Sequence, residues 1–144
     1  MIAGSASEEV TATPDLELKL PARAENVAVV RHAFGGFAEV LPVDEQTLAD
    51  IKLAVTEACT NVVIHAYEDD DPGELEVDAT ISDGRLMVVI RDRGRGIVPR
   101  PDSPGLGLGL PLIATLAESL ELGTDDEDRT EVRMTFRLDE EALA

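Results

Sequence analysis

Two polar residues, Glu57 and Asn61, interrupt an otherwise apolar stretch of the sequence. A spacing of four places both side chains on the same side of a helix, one turn apart. A carboxamide oxygen is a hard ligand of the kind that Mg²⁺ accepts, and a nearby carboxylate can take a proton from a hydroxyl group or from water. The pair therefore indicates a metal ligand beside a general base. A solvated or capping pair on an amphipathic helix is the alternative when the pattern is taken alone.

A second polar segment, Asp92-Arg-Gly-Arg-Gly96, follows directly after an apolar run. An aspartate at the end of a strand can accept a hydrogen bond from an exocyclic amine such as N6 of adenine. Gly94 and Gly96 would let the backbone approach a base and ribose without an intervening Cβ atom. Taken alone, the segment is equally compatible with a strand-to-loop turn in which Asp92 has a turn role.

A third segment, Gly105-Leu-Gly-Leu-Gly109, precedes Pro111 and another apolar run. It indicates a phosphate-binding loop that opens onto the N-terminus of a helix, with Pro111 near the first turn, where a missing N–H costs little. The segment is not a P-loop, because no Lys-Ser/Thr follows it, and its third glycine is wrongly spaced for a dinucleotide-binding fingerprint. A flexible surface loop is the alternative for this segment alone.

The hydrophobic pattern predicts the elements that must position these residues. Asp44 is expected to cap the second helix, and Asp83-Gly84 is typical of a two-residue hairpin turn. The helices and the hairpin-type strands are grouped apart, so the prediction is an α+β domain of two layers. In chain order, the predicted elements are a strand over 16–20, helices over 23–40 and 45–67, strands over 74–82 and 86–90, a helix from Pro111 to about Leu120, and a strand over 132–138.

Length and charge bound the remaining possibilities. A chain of 144 residues is sufficient for one domain, and we predict a disordered tail over 1–14 and a folded domain over 15–144. The formal net charge of −18 makes nucleic acid and anionic membrane poor partners. The sequence contains no secretory signal and no apolar run that could span a bilayer, so a cytoplasmic location is expected. Cys59, the single cysteine, is expected to pack in the core.

The three polar segments occur together in an order that resembles the GHKL ATPase superfamily. Residues 56–67 (TEACTNVVIHAY) resemble its N-box, residues 90–97 (IRDRGRGI) its first glycine box, and residues 105–109 its second. Within the superfamily, the chain is most similar to the small, single-domain anti-sigma-factor serine/threonine kinases of bacteria. The resemblance extends over residues 15–138.

The resemblance implies an α/β sandwich in which helices cover a mixed, mostly antiparallel sheet, and it implies ATP or ADP and Mg²⁺ as ligands. Asn61 would then ligate Mg²⁺, Glu57 would be the general base, and Asp92 would bind adenine N6. Thr130 matches the threonine that supports this aspartate, although Arg129 stands where relatives often carry glycine. The nucleotide-binding residues implied are Asn61, Asp92, Gly94, Gly96, Ile97, Gly105, Leu106, Gly107, Leu108, Gly109 and Thr130.

The segment between the two glycine boxes, residues 98–104, is short and contains three prolines. In relatives it is a longer, mobile lid, so a short and stiff lid would leave the phosphates more open to water. Arg100 is its only basic residue and is our candidate for a γ-phosphate contact; a solvated loop charge is the alternative. His32 and His65 are expected to have no part in the chemistry.

The leading hypothesis is an anti-sigma factor that is also a serine/threonine protein kinase. The resemblance implies a serine of a STAS-type anti-anti-sigma protein as substrate and a sigma factor as second partner. It also implies a homodimer and a partner contact at Arg31 on the first helix. The alternatives are a nucleotide-dependent binding scaffold with little or no transfer, and a switch kinase acting on a different STAS protein in a stress-signalling complex.

Overall fold

The computed structural model describes residues 13–66, 73–93, 104–127 and 129–138, with the backbone alone at 65–66 and 104–109. The predicted tail over 1–14 lies outside the described residues except for its last two positions. In chain order, the elements are β1 (Leu16–Pro21), α1 (Ala24–Ala38), α2 (Glu45–Asn61), a π-helical segment (Val62–Ala66), β2 (Glu74–Ser82), β3 (Arg85–Asp92), α3 (Pro104–Leu116), β4 (Ser119–Thr124) and β5 (Thr130–Arg137).

The five strands form one sheet in the order β1-β2-β3-β5-β4, and each of the four pairings between described strands is antiparallel. The helices lie in a second layer, where α2 contacts α1, α3 and β3. The predicted α+β class with two layers is confirmed. Since the tight Asp83-Gly84 turn joins β2 to β3, no crossover helix is needed between these two neighbours.

Strand alternation builds the core beneath the helices. One row of residues facing the helices crosses the whole sheet, and its three central members are completely buried. Fully burying a side chain of this size contributes about 1.5–3 kcal/mol, so this row is a principal source of stability. From one edge to the other, the row consists of Leu18, Val77, Ile90, Val132 and Leu122.

The predicted hairpin turn between β2 and β3 is confirmed. Asp83 and Gly84 both have positive φ angles, 56° and 74°. A two-residue turn of type I′ requires this conformation at both positions, and its twist matches that of the flanking strands. The turn sets Ser82 opposite Arg85 and thereby fixes the register of the whole hairpin.

The N-terminus of α2 is also as predicted. The side chain of Asp44 accepts a hydrogen bond of 2.8 Å from the backbone N–H of Thr47. This bond satisfies one of the helix's unpaired donors and contributes about 1 kcal/mol. The regular α-helix then ends at Asn61 rather than at residue 67, because the backbone continues as a π-helix over Val62–Ala66.

Two predictions for the C-terminal third are wrong. Helix α3 begins at Pro104, not near Pro111, so Pro111 lies inside the helix. It also ends at Leu116, and a strand that the sequence analysis missed, β4, follows it. Leu120 and Leu122 lie opposite Met134 and Val132 of β5, so pairing with β5 extends the sheet. The first two residues of β4 fall within the predicted helix, and the other four were predicted as neither helix nor strand.

Candidate functional site

Helix α2 carries Glu57 and Asn61, as predicted. Asn61 is the last residue of the regular helix and is only 5% exposed, whereas Glu57, one turn earlier, is half-buried. The helix packs with Ile51, Val55 and Ala58 in the core, which holds the adjoining polar positions at the border of the packed layer. A carboxylate partly open to solvent thus precedes a buried carboxamide by one helical turn.

The carboxamide of Asn61 is incompletely paired within the described part of the chain. Its Nδ2 atom is screened from solvent and has no hydrogen-bond partner among the described residues. Leaving such a group unsatisfied costs about 1–3 kcal/mol. Rotation of the carboxamide by 180° would bring Oδ1, a hard ligand, to the same position. The chemistry of Asn61 therefore fits an oxygen ligand of Mg²⁺.

A π-helical segment, Val62–Ala66, begins immediately after Asn61. The backbone N–H of Val62 points to the carbonyl oxygens of both Ala58 and Cys59, where the helix changes its winding. Single π turns occur frequently at functional sites because they alter the direction of the side chains around them. The sequence analysis missed this feature, since its apolar pattern is that of a continuous helix.

Asp92 ends β3, and its side chain faces the helical layer. It lies directly opposite Leu75 of β2 and Thr130 of β5, and it is only 2% exposed. Since residues two apart share one face of a strand, Asp92 lies on the same face of β3 as Val88 and Ile90, the face toward the helices. A carboxylate is rarely buried at a strand position that otherwise continues an apolar face, so residue type marks Asp92 as a candidate site residue.

The first residue of β5, Thr130, stands beside Asp92 in the sheet. The two side chains project to the same face because the residues form a direct cross-strand pair. The supporting role that the resemblance implied for Thr130 stays a prediction, for which this adjacency is a geometric requirement. It brings together two positions that are 38 residues apart in the chain.

The opposite face of the sheet carries a group of charged residues that the sequence analysis did not anticipate. We call this group the arginine–carboxylate cluster. Arg91 donates to Asp78 and Glu131 at 2.6 and 2.7 Å, and Arg129 donates to Asp125 and Glu76 at 2.7 and 2.8 Å. The cluster consists of Glu76, Asp78, Arg91, Asp125, Arg129 and Glu131.

The charges in the cluster stabilise one another. Burial opposes the charged form of both arginines, but their hydrogen bonds to carboxylates outweigh it and raise the pKa of Arg91 and of Arg129. Burial likewise works to raise the pKa of Asp125, yet backbone N–H groups of Arg129 and Glu127, with the Arg129 guanidinium, lower it overall. These shifts favour the charged forms of Arg91, Arg129 and Asp125.

The second glycine segment lies within the first turns of α3 and is not a loop ahead of it. The N–H groups of the first turn of a helix have no partner inside it and carry a partial positive charge. Helix α3 therefore has the positive end of its dipole at Pro104, seven residues earlier than predicted. Leu110 and Ile113 are buried and hold the helix against the core.

Several predicted site residues lie outside the described residues: Gly94, Gly96, Ile97 and Arg100, together with the rest of the proline-rich segment as far as residue 103. Backbone alone is described for Leu106, Leu108 and His65. His32 is exposed on α1, and its Nδ1 atom lies 2.8 Å from the carbonyl oxygen of Ala28 in the preceding turn. This local contact agrees with the expectation that His32 has no part in the chemistry.

Asn61 and Asp92 are the two buried polar residues in the described part of the chain. Both are residues that the sequence analysis had selected for nucleotide binding. One lies at the end of α2 and the other at the end of β3, and these two elements contact each other. The sheet thus offers a hydrogen-bond acceptor for an amine, and the adjoining helical layer offers a hard oxygen ligand.

The sequence matches the family model described as the histidine kinase-like ATPase domain over residues 20–136. It is 32% identical over 130 residues to the anti-sigma F factor of Clostridium botulinum (strain Eklund 17B / Type B), with 83% of this chain and 91% of the relative covered. It is 34% identical over 126 residues to the serine-protein kinase RsbW of Bacillus thuringiensis (strain Al Hakam), covering 77% of this chain and 78% of that protein.

A similar solved structure is that of the RsbU and RsbW domains of Rv1364c from Mycobacterium tuberculosis. It has a TM-score of 0.67 and 27% identity, and the match covers 88% of this chain and 32% of the longer chain. The chain belongs to the histidine kinase-like ATPase domain family. Its place among the anti-sigma-factor serine/threonine kinases confirms the predicted enzyme class, an ATP-dependent protein kinase. Among the described residues, no helix combines the length and the apolar composition needed to cross a membrane.

Proposed function

We propose that this kinase is a cytoplasmic anti-sigma factor that uses Mg²⁺ and ATP to phosphorylate a serine of a STAS-type anti-anti-sigma protein. The sigma factor is its second partner, and the protein acts as a homodimer. The observation that carries the nucleotide site is the burial of Asn61, whose Nδ2 atom has no hydrogen-bond partner among the described residues, since a buried polar group left unpaired calls for an explanation such as a bound ligand. The name of one relative, an anti-sigma F factor, supports a sigma factor as partner, and the name of another, a serine-protein kinase, supports a serine as the phosphate acceptor.

Asp92 supplies adenine recognition in this proposal. Its carboxylate accepts a hydrogen bond from the N6 amine, and Thr130, its direct neighbour in β5, supports it. Because Asp92 is buried and acceptor-only when ionised, a base with an oxygen at this position would be repelled. The site therefore selects adenine over bases that carry a 6-oxo group.

Asn61 supplies the metal ligand. Bound Mg²⁺ neutralises phosphate charge, which is essential in a chain whose formal net charge is −18. The first turn of α3 contributes backbone N–H donors and its partial positive charge to the phosphates. Together these groups let an acidic protein bind an anionic nucleotide without a large basic surface.

Glu57 acts as the general base. The serine hydroxyl oxygen attacks the γ-phosphorus of ATP, the bond from that phosphorus to the β–γ bridging oxygen breaks, and ADP leaves. The serine proton passes to the carboxylate of Glu57. A half-buried base one helical turn from Asn61 is accessible to an incoming hydroxyl group and close to the metal ligand.

The proposal is tested by isothermal titration of ATP, with and without Mg²⁺, into the wild type and Asn61→Ala. The matched control is Asn26→Ala, which removes an exposed carboxamide that donates to the carbonyl oxygen of Pro21 at 2.7 Å. We expect Mg²⁺ to strengthen ATP binding by the wild type and the control but not by Asn61→Ala. Failure of the wild type to bind ATP would refute the nucleotide site.

Transfer needs its own measurement. Radiolabelled ATP is mixed with the wild type and a purified STAS-type protein, and phosphoserine on that protein is quantified. Stoichiometric phosphoserine supports the kinase function. Tight ATP binding without phosphoserine would instead favour a nucleotide-dependent scaffold.

A further inference from the structure

We infer that the arginine–carboxylate cluster positions Asp92 and Thr130 for adenine recognition, with Arg129 and Asp125 as its central positioning residues. The inference rests on the proposed function, since it concerns the same nucleotide site. The inference assigns the residues of the cluster a role in that site, although they lie on the opposite face of the sheet and do not touch the nucleotide.

The connection follows from strand alternation. Arg91 immediately precedes Asp92 in β3, and Arg129 immediately precedes Thr130 at the start of β5. Successive residues of a strand point to opposite faces, so Arg91 lies directly behind Asp92. Arg129 lies just before β5, and its bond to Glu76 places its side chain on the same outer face, behind Thr130. Fixing the position of Arg91 therefore restricts Asp92 through one peptide unit, and fixing Arg129 restricts Thr130 in the same way.

Asp125 constrains both arginines at once. Its Oδ2 atom lies 2.7 Å from Nε of Arg129 and 3.8 Å from Nε of Arg91. Its Oδ1 atom accepts hydrogen bonds of 2.9 Å from the backbone N–H groups of Glu127 and Arg129. One carboxylate thus closes the turn between β4 and β5 and joins the two residues behind the recognition pair.

The cluster also anchors the start of β5 to β2, two strands away. Nη1 of Arg129 lies 2.8 and 2.9 Å from the two carboxylate oxygens of Glu76. The side chains of Arg129, Asp125 and Glu76 are only 15–18% exposed, so these ion pairs are shielded from much of the screening that weakens surface pairs. Displacing Thr130 from Asp92 would require breaking charge-assisted bonds to two elements.

The sheet also offers an ion pair that serves as a control. Arg85 donates from Nε to Glu118 at 3.0 Å, with side chains 39% and 37% exposed. Arg85 is the first residue of β3, at the opposite end of the strand from Asp92. Removing this pair tests the effect of losing an arginine ion pair from β3 without disturbing the residues behind the recognition pair.

The test compares ADP with IDP, which carries a 6-oxo group in place of the N6 amine. Dissociation constants for both nucleotides are measured by calorimetry for the wild type, Arg129→Gln, Arg129→Lys, Asp125→Asn and the control Arg85→Gln, and melting temperatures are recorded for each. Asp125→Asn keeps the oxygen that closes the turn and loses the charge that joins the arginines. It therefore provides a variant with a minimal change of shape.

We expect Arg129→Gln and Asp125→Asn to weaken ADP binding about tenfold while IDP binding changes little, so that the preference for adenine falls by the same factor. Arg129→Lys should recover part of the preference, because it restores a charge without the planar fork. Arg85→Gln should retain the wild-type preference. This set of results supports the positioning role.

Two results would overturn the positioning role of the cluster. Lower melting temperatures with an unchanged ratio of ADP to IDP affinity would mean that the cluster stabilises the sheet and does nothing more, while the nucleotide site itself stands. A wild type that does not bind ADP, or does not prefer it to IDP, would overturn the proposed function and this inference with it.

Discussion

Asp92 lies directly opposite Thr130 where β3 pairs with β5, and both side chains face the helical layer. The pair joins the end of one strand to the start of another that is remote in sequence. It places a buried carboxylate beside a hydroxyl group at the edge of the packed layer.

Replacing Asp92 with asparagine should weaken ADP binding by about 10- to 100-fold, because a hydrogen bond to a charged acceptor is lost. The melting temperature should stay the same or rise, since burying a carboxylate opposes folding. Calorimetry and a thermal melt measure the two effects. Asp50→Asn on α2 is the control, because its exposed carboxylate accepts only from Gln46 within its own helix among the described residues. Equal ADP affinity in all three proteins would contradict the prediction.

Replacing Glu57 with glutamine should reduce phosphoryl transfer by about 10²–10⁴-fold and leave ADP affinity close to the wild-type value. The substitution keeps the shape of the side chain and removes the proton acceptor. Single-turnover transfer to a purified STAS-type protein measures the rate, and calorimetry measures the affinity. Glu45→Gln, in the first turn of the same helix, provides the control. Wild-type transfer by Glu57→Gln would exclude this residue as the base.

The stability of the fold should decrease in acid partly through Asp125. The folded state lowers the pKa of this carboxyl group below its ordinary value of 3.8. The unfolded chain therefore takes up the proton at a higher pH than the folded one. The contribution of Asp125 to the free energy of unfolding is complete above that ordinary value, and it is lost as the pH falls through the folded-state pKa. Urea unfolding of the wild type and Asp125→Asn from pH 7 to pH 3 should show a smaller acid loss in the variant. If the free energy of unfolding fell equally in the wild type and Asp125→Asn over this pH range, the prediction would be wrong.

Two glycines should respond in opposite directions to alanine. Gly36 lies in α1, and an added Cβ would meet nothing within 4 Å in the described structure, so Gly36→Ala should stabilise the protein by about 0.5–1 kcal/mol. Gly84 has a φ of 74° in the hairpin turn, and Gly84→Ala should destabilise it by about 1–2 kcal/mol. Denaturant unfolding measures both. If Gly84→Ala stabilised the protein, a positive φ angle at this position of the turn would be contradicted.

Local sequence was sufficient for several elements. The helical spacing that placed Glu57 and Asn61 on one side of α2, the cap at Asp44 and the Asp83-Gly84 turn all depend on residues within a few positions of one another. Their geometry is decided by backbone preferences and short-range hydrogen bonds. The structure accordingly agrees with these predictions.

Other features depended on packing between distant segments. Helix α3 extends back through the glycines to Pro104 despite their poor helix propensity, and its buried residues Leu110 and Ile113 show that tertiary contacts support it. Strand β4 has only two apolar residues, Leu120 and Leu122, and its identity as a strand is defined by pairing with β5. The residues near α3 and β4 in the sequence are therefore not sufficient to predict where the helix begins or that the strand exists.

The sequence by itself determined the class of the domain and selected Asn61 and Asp92 as candidate site residues, because periodicity and residue type are local properties. Only the tertiary structure decided that Thr130 adjoins Asp92 and that Asp125 lies against both Arg91 and Arg129. Such contacts depend on strand order and register, which are settled when the sheet assembles as a whole. A charge pattern read along the chain does not reveal which carboxylate meets which arginine across the strands of a sheet.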